Sequence, residues 1–175
     1  MKAPYLDRAL LRAILHYNPD TGVFTWLDRA DMRPQWNGRY AGKQAGFDTT
    51  TDGKHFYRSI RIFDWPFMAH RLAFLYMTGK WPNQIVDHAD LDGLNNKWRN
   101  LRPANKIQNG ANARLSRSNK SGFKGVSRDA TGRFRATIQE NGRQQWLGYY
   151  DTAEEAHAVY LSAAKEIHGE YARSR

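Results

Sequence analysis

The sequence predicts an α+β protein built as two small units, and three observations predict it. Apolar residues recur at helical spacing near the N-terminus, across 68–78 and again beyond Thr152, so both halves contain helix. Segments of alternating polar and apolar residues fall at 23–27, at 55–63 and three times after Phe123. Between the halves, the stretch 114–121, RLSRSNKS, loses nearly all its apolar residues and turns polar and basic, as a linker does.

Leu6, Leu10, Ile14 and Leu15 share one helical face and Asn18-Pro19 stops the pattern, which predicts a first helix from about Pro4 to Tyr17. The turn Asp20-Thr21-Gly22 leads into a strand over 23–27. Residues 28–53, rich in Gly, Asp, Arg and Thr, show no sustained period and read as loops with a short strand near 45–47. A strand over 55–63 and a helix over 68–78 follow; Leu72, Leu75 and Tyr76 lie on one side of that helix and Gly79 stops it. Beyond the linker, 123–128, 133–140 and 143–150 read as three antiparallel strands. Turns at Thr131-Gly132 and Asn141-Gly142 join them. Thr152 opens the last helix with Glu155 three positions on, a capping box. Its stripe is Ala156, Val159, Tyr160, Ala163 and Ile167, and Gly169 ends it.

Charge and composition narrow the function. A formal net charge of +10, with Lys and Arg spread along 175 residues, points to a polyanion as partner, nucleic acid first and anionic membrane second. No apolar run approaches the roughly 20 residues of a spanning helix. The start MKAPYLDRALLRAILHYNPD has no signal-peptide core, so the expectation is a soluble cytoplasmic protein with no membrane partner. Cysteine is absent, which removes disulfides, thiolate zinc sites and cysteine nucleophiles; any metal must be held by His, Asp, Glu or Asn. Aromatics at 13% are too many for a disordered basic chain.

The chemistry concentrates in Val86-Asp87-His88-Ala89-Asp90-Leu91-Asp92-Gly93-Leu94-Asn95-Asn96-Lys97-Trp98-Arg99-Asn100-Leu101-Arg102, followed by Asn105-Lys106-Ile107-Gln108-Asn109. Asp90-Leu91-Asp92-Gly93 is not an EF-hand: counting from Gly93 puts His88 at the first ligand position and Arg99 at the twelfth, where a bidentate Glu is required. The run resembles the HNH nuclease family, in the branch whose third motif position is Asn. The resemblance implies a ββα-metal core over about 81–113: an Asp-His pair ending a strand, a turn, Asn-Leu-Arg on a returning strand, and a helix with the last ligand. It implies His88 as general base, Asp87 and Asn109 as ligands of a divalent cation, and Asn100 as a structural residue fixing the loop that presents His88. Imidazole near its ordinary pKa of about 6.5 is a competent base at neutral pH. Ligation by one carboxylate and one amide suits Mg²⁺ or Mn²⁺. Arg102 is a candidate phosphate contact, with a solvated charge as its alternative. His70 reads as a helix-packing residue near the site, and His16, His55, His157 and His168 as background.

Ser121-Gly122-Phe123-Lys124-Gly125-Val126-Ser127, Trp146-Leu147-Gly148-Tyr149-Tyr150 and Asp151-Thr152-Ala153-Glu154-Glu155-Ala156 resemble the APETALA-type (AP2, ethylene-response) DNA-binding domain. Period-two geometry turns Phe134, Ala136, Ile138, Leu147 and Tyr149 toward the helix. Arg133, Arg135, Gln144 and Trp146 then share the outer face. These four, with Lys124 and Arg128, are the candidate contacts to double-stranded DNA. Ser127, Asp129, Thr137 and Gln139 depart from the plant pattern, so the plant target does not transfer.

Together these readings predict an HNH nuclease domain over 1–113, a basic linker over 114–121 and an AP2-like DNA-binding domain over 122–175. They describe a metal-dependent, nicking DNA endonuclease, monomer or homodimer. By analogy it has a homing or other mobile-element role in a phage or its bacterial host. The rival readings are a DNA-binding regulator with a vestigial nuclease core and an RNA-binding or structural nucleic-acid protein. The enzyme reading sets two conditions: residues 87 and 109 must be able to grip one ion, and His88 must be within reach of substrate.

Overall fold

Asp7 opens the first helix: its carboxylate accepts from the Leu10 N–H at 2.8 Å and pairs one of the amides that a helix start leaves open. The computed structural model describes residues 5–50, 52–116 and 118–173. Helix α1, Arg8–Ile14, is shorter than the predicted 4–17, and Pro4 lies outside the described residues. Leu15 leaves helical geometry at φ −135°, and strand β1, Leu15–Asn18, follows. Leu15 and Tyr17 are buried with His16 exposed between them, an alternation that a short helical stripe mimics. Strand β2, Val23–Trp26, pairs antiparallel with β1 through a turn in which Asn18 Oδ1 accepts the Asp20 and Thr21 amides.

The stretch read as loop holds more order than its composition shows. Helix α2, Pro34–Tyr40, buries no residue, so it has no apolar stripe to detect. Its Trp36 meets the Trp26 ring edge-on at 5.4 Å. Strands β3 (Phe47–Thr49), β4 (Tyr57–Ile62) and β5 (Trp65–Met68) form an antiparallel sheet in the order β3-β4-β5. The short strand begins at Phe47, not Ala45, and β5 was not predicted. The β4–β5 turn uses Phe63 and Asp64 at φ 50° and 65°, a geometry usually announced by Asn-Gly. Helix α3, Ala69–Thr78, ends at Gly79 in the left-handed region. Leu11, Leu15, Tyr17, Phe24, Ile60, Ile62, Leu72 and Leu75 build the core of this first unit.

Strands β6, Ile85–His88, and β7, Leu101–Ala104, pair as a two-stranded sheet, joined by a loop that ends in a 3₁₀ turn over Trp98–Asn100. The compact units of the chain divide between Pro103 and Ala104.

In the second unit, helix α4, Lys106–Asn112, starts on a capping box made by Asn105 and Gln108. Strands β8 (Val126–Arg128), β9 (Phe134–Glu140) and β10 (Arg143–Tyr150) form an antiparallel sheet in the order β10-β9-β8. Helix α5, Ala153–His168, carries the capping box between Thr152 and Glu155. The α+β class and the sheet-plus-helix architecture match the sequence reading, with three corrections.

Strand β8 starts at Val126, not Phe123, because the Asn119 and Ser121 side chains bond the Phe123 and Val126 carbonyls and fold that stretch as turns. The buried face of α5 takes in His157, Ala164 and His168, while Ala163 and Ile167 are only partly buried. On β10 the register shifts between Trp146 and Gly148, so Tyr149 stands opposite Arg135 and Tyr150 opposite Phe134. A bulge reverses the alternation. Tyr150 is therefore partly buried against the core, and Tyr149, predicted to face inward, is 42% exposed.

Candidate functional site

Asp87 and His88 end β6 and are both buried, at 4% and 6% exposure, and they meet different neighbours. Asp87 Oδ2 accepts from Arg102 Nε on β7 at 2.9 Å. Arg102, predicted as a phosphate contact or a solvated charge, is thus engaged by a buried carboxylate, with 15% of its side chain exposed. The His88 ring lies edge-on to His70 at 5.2 Å and 6.0 Å from Tyr57.

His88 Nε2 lies 3.3 Å from Asn96 Oδ1. The Asn96 amide nitrogen donates to the Leu94 carbonyl at 3.0 Å, which turns its oxygen toward His88. With the Asn96 oxygen as acceptor, Nε2 is the nitrogen that donates in this contact. Burial pushes the His88 pKa below the ordinary histidine value, partly opposed by Asn96, Asp90, Asp87 and Asp92.

Asn100 fixes the loop. Its side-chain nitrogen donates to Asp90 Oδ1 at 2.9 Å and to the Asn95 carbonyl at 2.8 Å, and its oxygen accepts the Asp90 amide at 3.1 Å. The Ala89 amide also donates to the Asn100 carbonyl at 2.9 Å, so one residue clamps the loop where it leaves His88. Burial pushes the Asp90 carboxyl up, but hydrogen bonds from Asp92, Asn95 and Asn100 outweigh it and hold the pKa low.

Sequence reasoning missed the supports behind this loop. Tyr17 donates to the Asn96 carbonyl at 2.7 Å, and the Trp98 amide donates to Pro19 at 2.9 Å. Gly22, at φ +75°, lies so close to the loop that a Cβ there would stand 2.4 Å from the Asn96 carbonyl carbon. The N-terminal hairpin is thus the backing of the His88 loop. No local pattern announces that role.

Among the described residues no three His, Cys, Asp or Glu side chains converge as a metal centre. Mg²⁺ and Mn²⁺ need only one or two protein oxygens, with water and substrate oxygens completing the shell. The Asp87 carboxylate fits that chemistry as a donor. Asn109 is exposed on α4 and belongs to the second unit.

On the second unit, Arg133, Arg135, Gln144 and Trp146 are exposed on the outer sheet face, and the bulge adds Tyr149. The Arg133 guanidinium lies 4.6 Å above the Tyr149 ring, which is 5.9 Å from Trp146; Trp146 is 64% exposed. Gln144 donates to Thr137 Oγ1 at 3.1 Å. Interleaved guanidinium and aromatic groups give a surface suited to phosphates, sugars and base faces. Arg128 donates to the Gly132 carbonyl at 3.0 Å, with its guanidinium 5.6 Å from the Phe134 ring. Lys124 is placed differently from its prediction. Its ammonium donates to the carbonyls of Ala111 and, at 2.9 Å, Ala113, and burial and then the Arg173 charge lower its pKa.

Residues 67–111 match the family model described as HNH endonuclease, and residues 121–170 match the AP2 domain model. An uncharacterised HNH endonuclease of Acanthamoeba polyphaga mimivirus is 37% identical over 105 residues, covering 59% of this chain and 54% of that protein. Protein 3.8 of Escherichia phage T7 is 34% identical over 91 residues, covering 51% of this chain and 74% of that protein. The chain thus spans about half the length of the mimivirus relative. No solved structure matches. With the clamped Asp87-His88 loop inside the first match and the sheet-and-helix unit inside the second, this chain belongs to the HNH endonuclease family and carries an AP2 domain after its HNH domain.

Proposed function

We propose that this chain is a divalent-metal-dependent DNA endonuclease that nicks duplex DNA. The observation that carries the reading is the His88 loop: a buried imidazole at a strand end, next to a carboxylate, in a loop clamped by Asn100. His88 acts as general base, taking the proton of the attacking water. Asp87 and Asn109 would hold Mg²⁺ or Mn²⁺, which when bound supplies positive charge to the scissile phosphate and leaving oxygen. Asn100 keeps the loop in place.

Arg133, Arg135, Gln144 and Trp146, with Tyr149, bind DNA on the outer sheet face, and Arg128 borders it. The proposed domain limits are 1–113 for the nuclease, 114–121 for the linker and 122–175 for the DNA-binding domain. One site per chain makes a nick the product unless two chains assemble. A role in phage or mobile-element DNA processing fits the two relatives.

A second reading, a DNA-binding regulator with a vestigial nuclease core, is favoured by the 6% exposure of His88, which leaves its ring covered as packed here. Supercoiled plasmid with Mg²⁺ or Mn²⁺ separates the two. Nicked circles that disappear with chelator and with His88→Ala support the enzyme. Tight duplex binding with no strand break supports the regulator and removes the enzyme reading.

A further inference from the structure

Helix α4 has seven residues, too few to be stable alone, so what holds it decides where Asn109 stands. The Asn105–Gln108 capping box closes its N-terminal end. At the other end, Lys124 donates to the carbonyls of Ala111 and Ala113, groups that a helix terminus leaves unpaired. An ammonium there also opposes the negative end of the helix dipole. Ala111 is buried with Ala104 and Tyr171.

Lys124 is itself pinned from two sides. Its carbonyl accepts from His157 Nδ1 on α5 at 3.0 Å. The next carbonyl, Gly125, accepts the Thr137 amide of β9 at 2.8 Å. Gly125 has φ +74° and lies against Tyr160, where a Cβ would come within 2.0 Å of the ring, so this close approach requires glycine. Strand β9 also carries Arg135, and Arg133 immediately precedes it.

We propose that Lys124 is a positioning residue that ties the helix bearing Asn109 to the sheet of the second unit and so fixes where that side chain stands. This rests on Asn109 being a metal ligand. Lys124 thereby acts on metal binding through α4, where the sequence points to a direct DNA contact. A fixed α4 saves the ordering of a mobile helix each time the ion binds.

The test uses the full chain as wild type, Lys124→Met, Lys124→Arg and Asn109→Ala. Mn²⁺ affinity is read by electron paramagnetic resonance of free Mn²⁺, together with duplex affinity and plasmid nicking. Supporting residues around a metal typically contribute about 10- to 100-fold in affinity. Lys124→Met is therefore expected to weaken Mn²⁺ binding about tenfold while duplex Kd changes less than about twofold, and Lys124→Arg is expected to restore it.

Wild-type Mn²⁺ affinity in Lys124→Met, with loss in Asn109→Ala, overturns this inference and leaves the endonuclease reading standing. Wild-type Mn²⁺ affinity in Asn109→Ala overturns the ligand assignment and the inference with it. Weakened duplex binding with intact Mn²⁺ affinity makes Lys124 a DNA contact and also overturns it. If Lys124→Met fails to fold, Lys124→Arg decides between the two: a charge-bearing side chain that folds and binds duplex must also bind Mn²⁺ as wild type does.

Discussion

Asp87 and Arg102 face each other across the β6–β7 pair as an ion pair, 2.9 Å from Nε to Oδ2, with 4% and 15% of their side chains exposed. Removing one member of such a pair takes an opposite charge away from a poorly hydrated place, which typically costs about 3 kcal/mol. Arg102→Ala is expected to lower stability by about that amount in urea unfolding, and added Mg²⁺ is expected to recover part of it if the ion binds Asp87. A variant as stable as wild type without metal would show that Asp87 does not depend on Arg102.

Tyr17→Phe deletes the hydroxyl that bonds the Asn96 carbonyl at 2.7 Å and leaves a buried acceptor unpaired. The expected loss is about 1–2 kcal/mol in chemical denaturation. Because Asn96 faces His88 Nε2, the nicking rate is expected to fall more than duplex affinity does. Equal losses in both would mean that the hairpin supports the unit in general and the loop not in particular.

His70 gives stability a pH dependence of known sign. Burial, with the charges of His88 and Arg71, pushes its pKa down to about 3, and Tyr57 and His88 face its ring. Between the ordinary value of about 6.5 and that lower one, the unfolded chain binds the proton and the folded chain does not. This contribution is intact above about pH 6.5 and is lost as pH falls toward 3. His70→Asn is expected to have a shallower acid slope of unfolding free energy than wild type, and superimposable slopes would refute the assignment.

The β10 bulge gives two adjacent tyrosines different environments. Tyr150 packs, partly buried, against the core and donates to the Leu147 carbonyl at 2.9 Å. Tyr150→Ala is expected to cost about 3 kcal/mol, in the range of other large-to-small aromatic truncations. Tyr149→Ala is expected to leave the melting temperature nearly unchanged and to weaken duplex binding. Arg135→Gln is expected to reduce the slope of log affinity against log salt by about 1. If Tyr149→Ala unfolds the second unit instead, the bulge assignment is wrong.

Much of the second unit was legible because its signals are local. The Thr152–Glu155 capping box, the Asn141-Gly142 hairpin and the alternation of Phe134, Ala136 and Ile138 each involve residues a few positions apart. The Asp-His pair at a strand end and the clamping asparagine were legible too, since their order along the chain is itself the motif. The missed elements lack such marks. Helix α2 buries nothing, and β5 turns on Phe63 and Asp64 instead of glycine.

By itself the sequence determined the α+β class, the order of an HNH segment before an AP2 segment, and many of the strands and helices in each. Only the tertiary structure decided that Arg102 engages Asp87, that Tyr17, 79 positions away, backs the loop through Asn96, that Lys124 holds α4, and that Tyr149 faces outward. The physical reason is separation along the chain. Periodicity records what a residue's near neighbours require. A hydrogen bond between distant segments, or one inserted residue that reverses a strand's faces, is set by how the packed chain satisfies its buried polar groups.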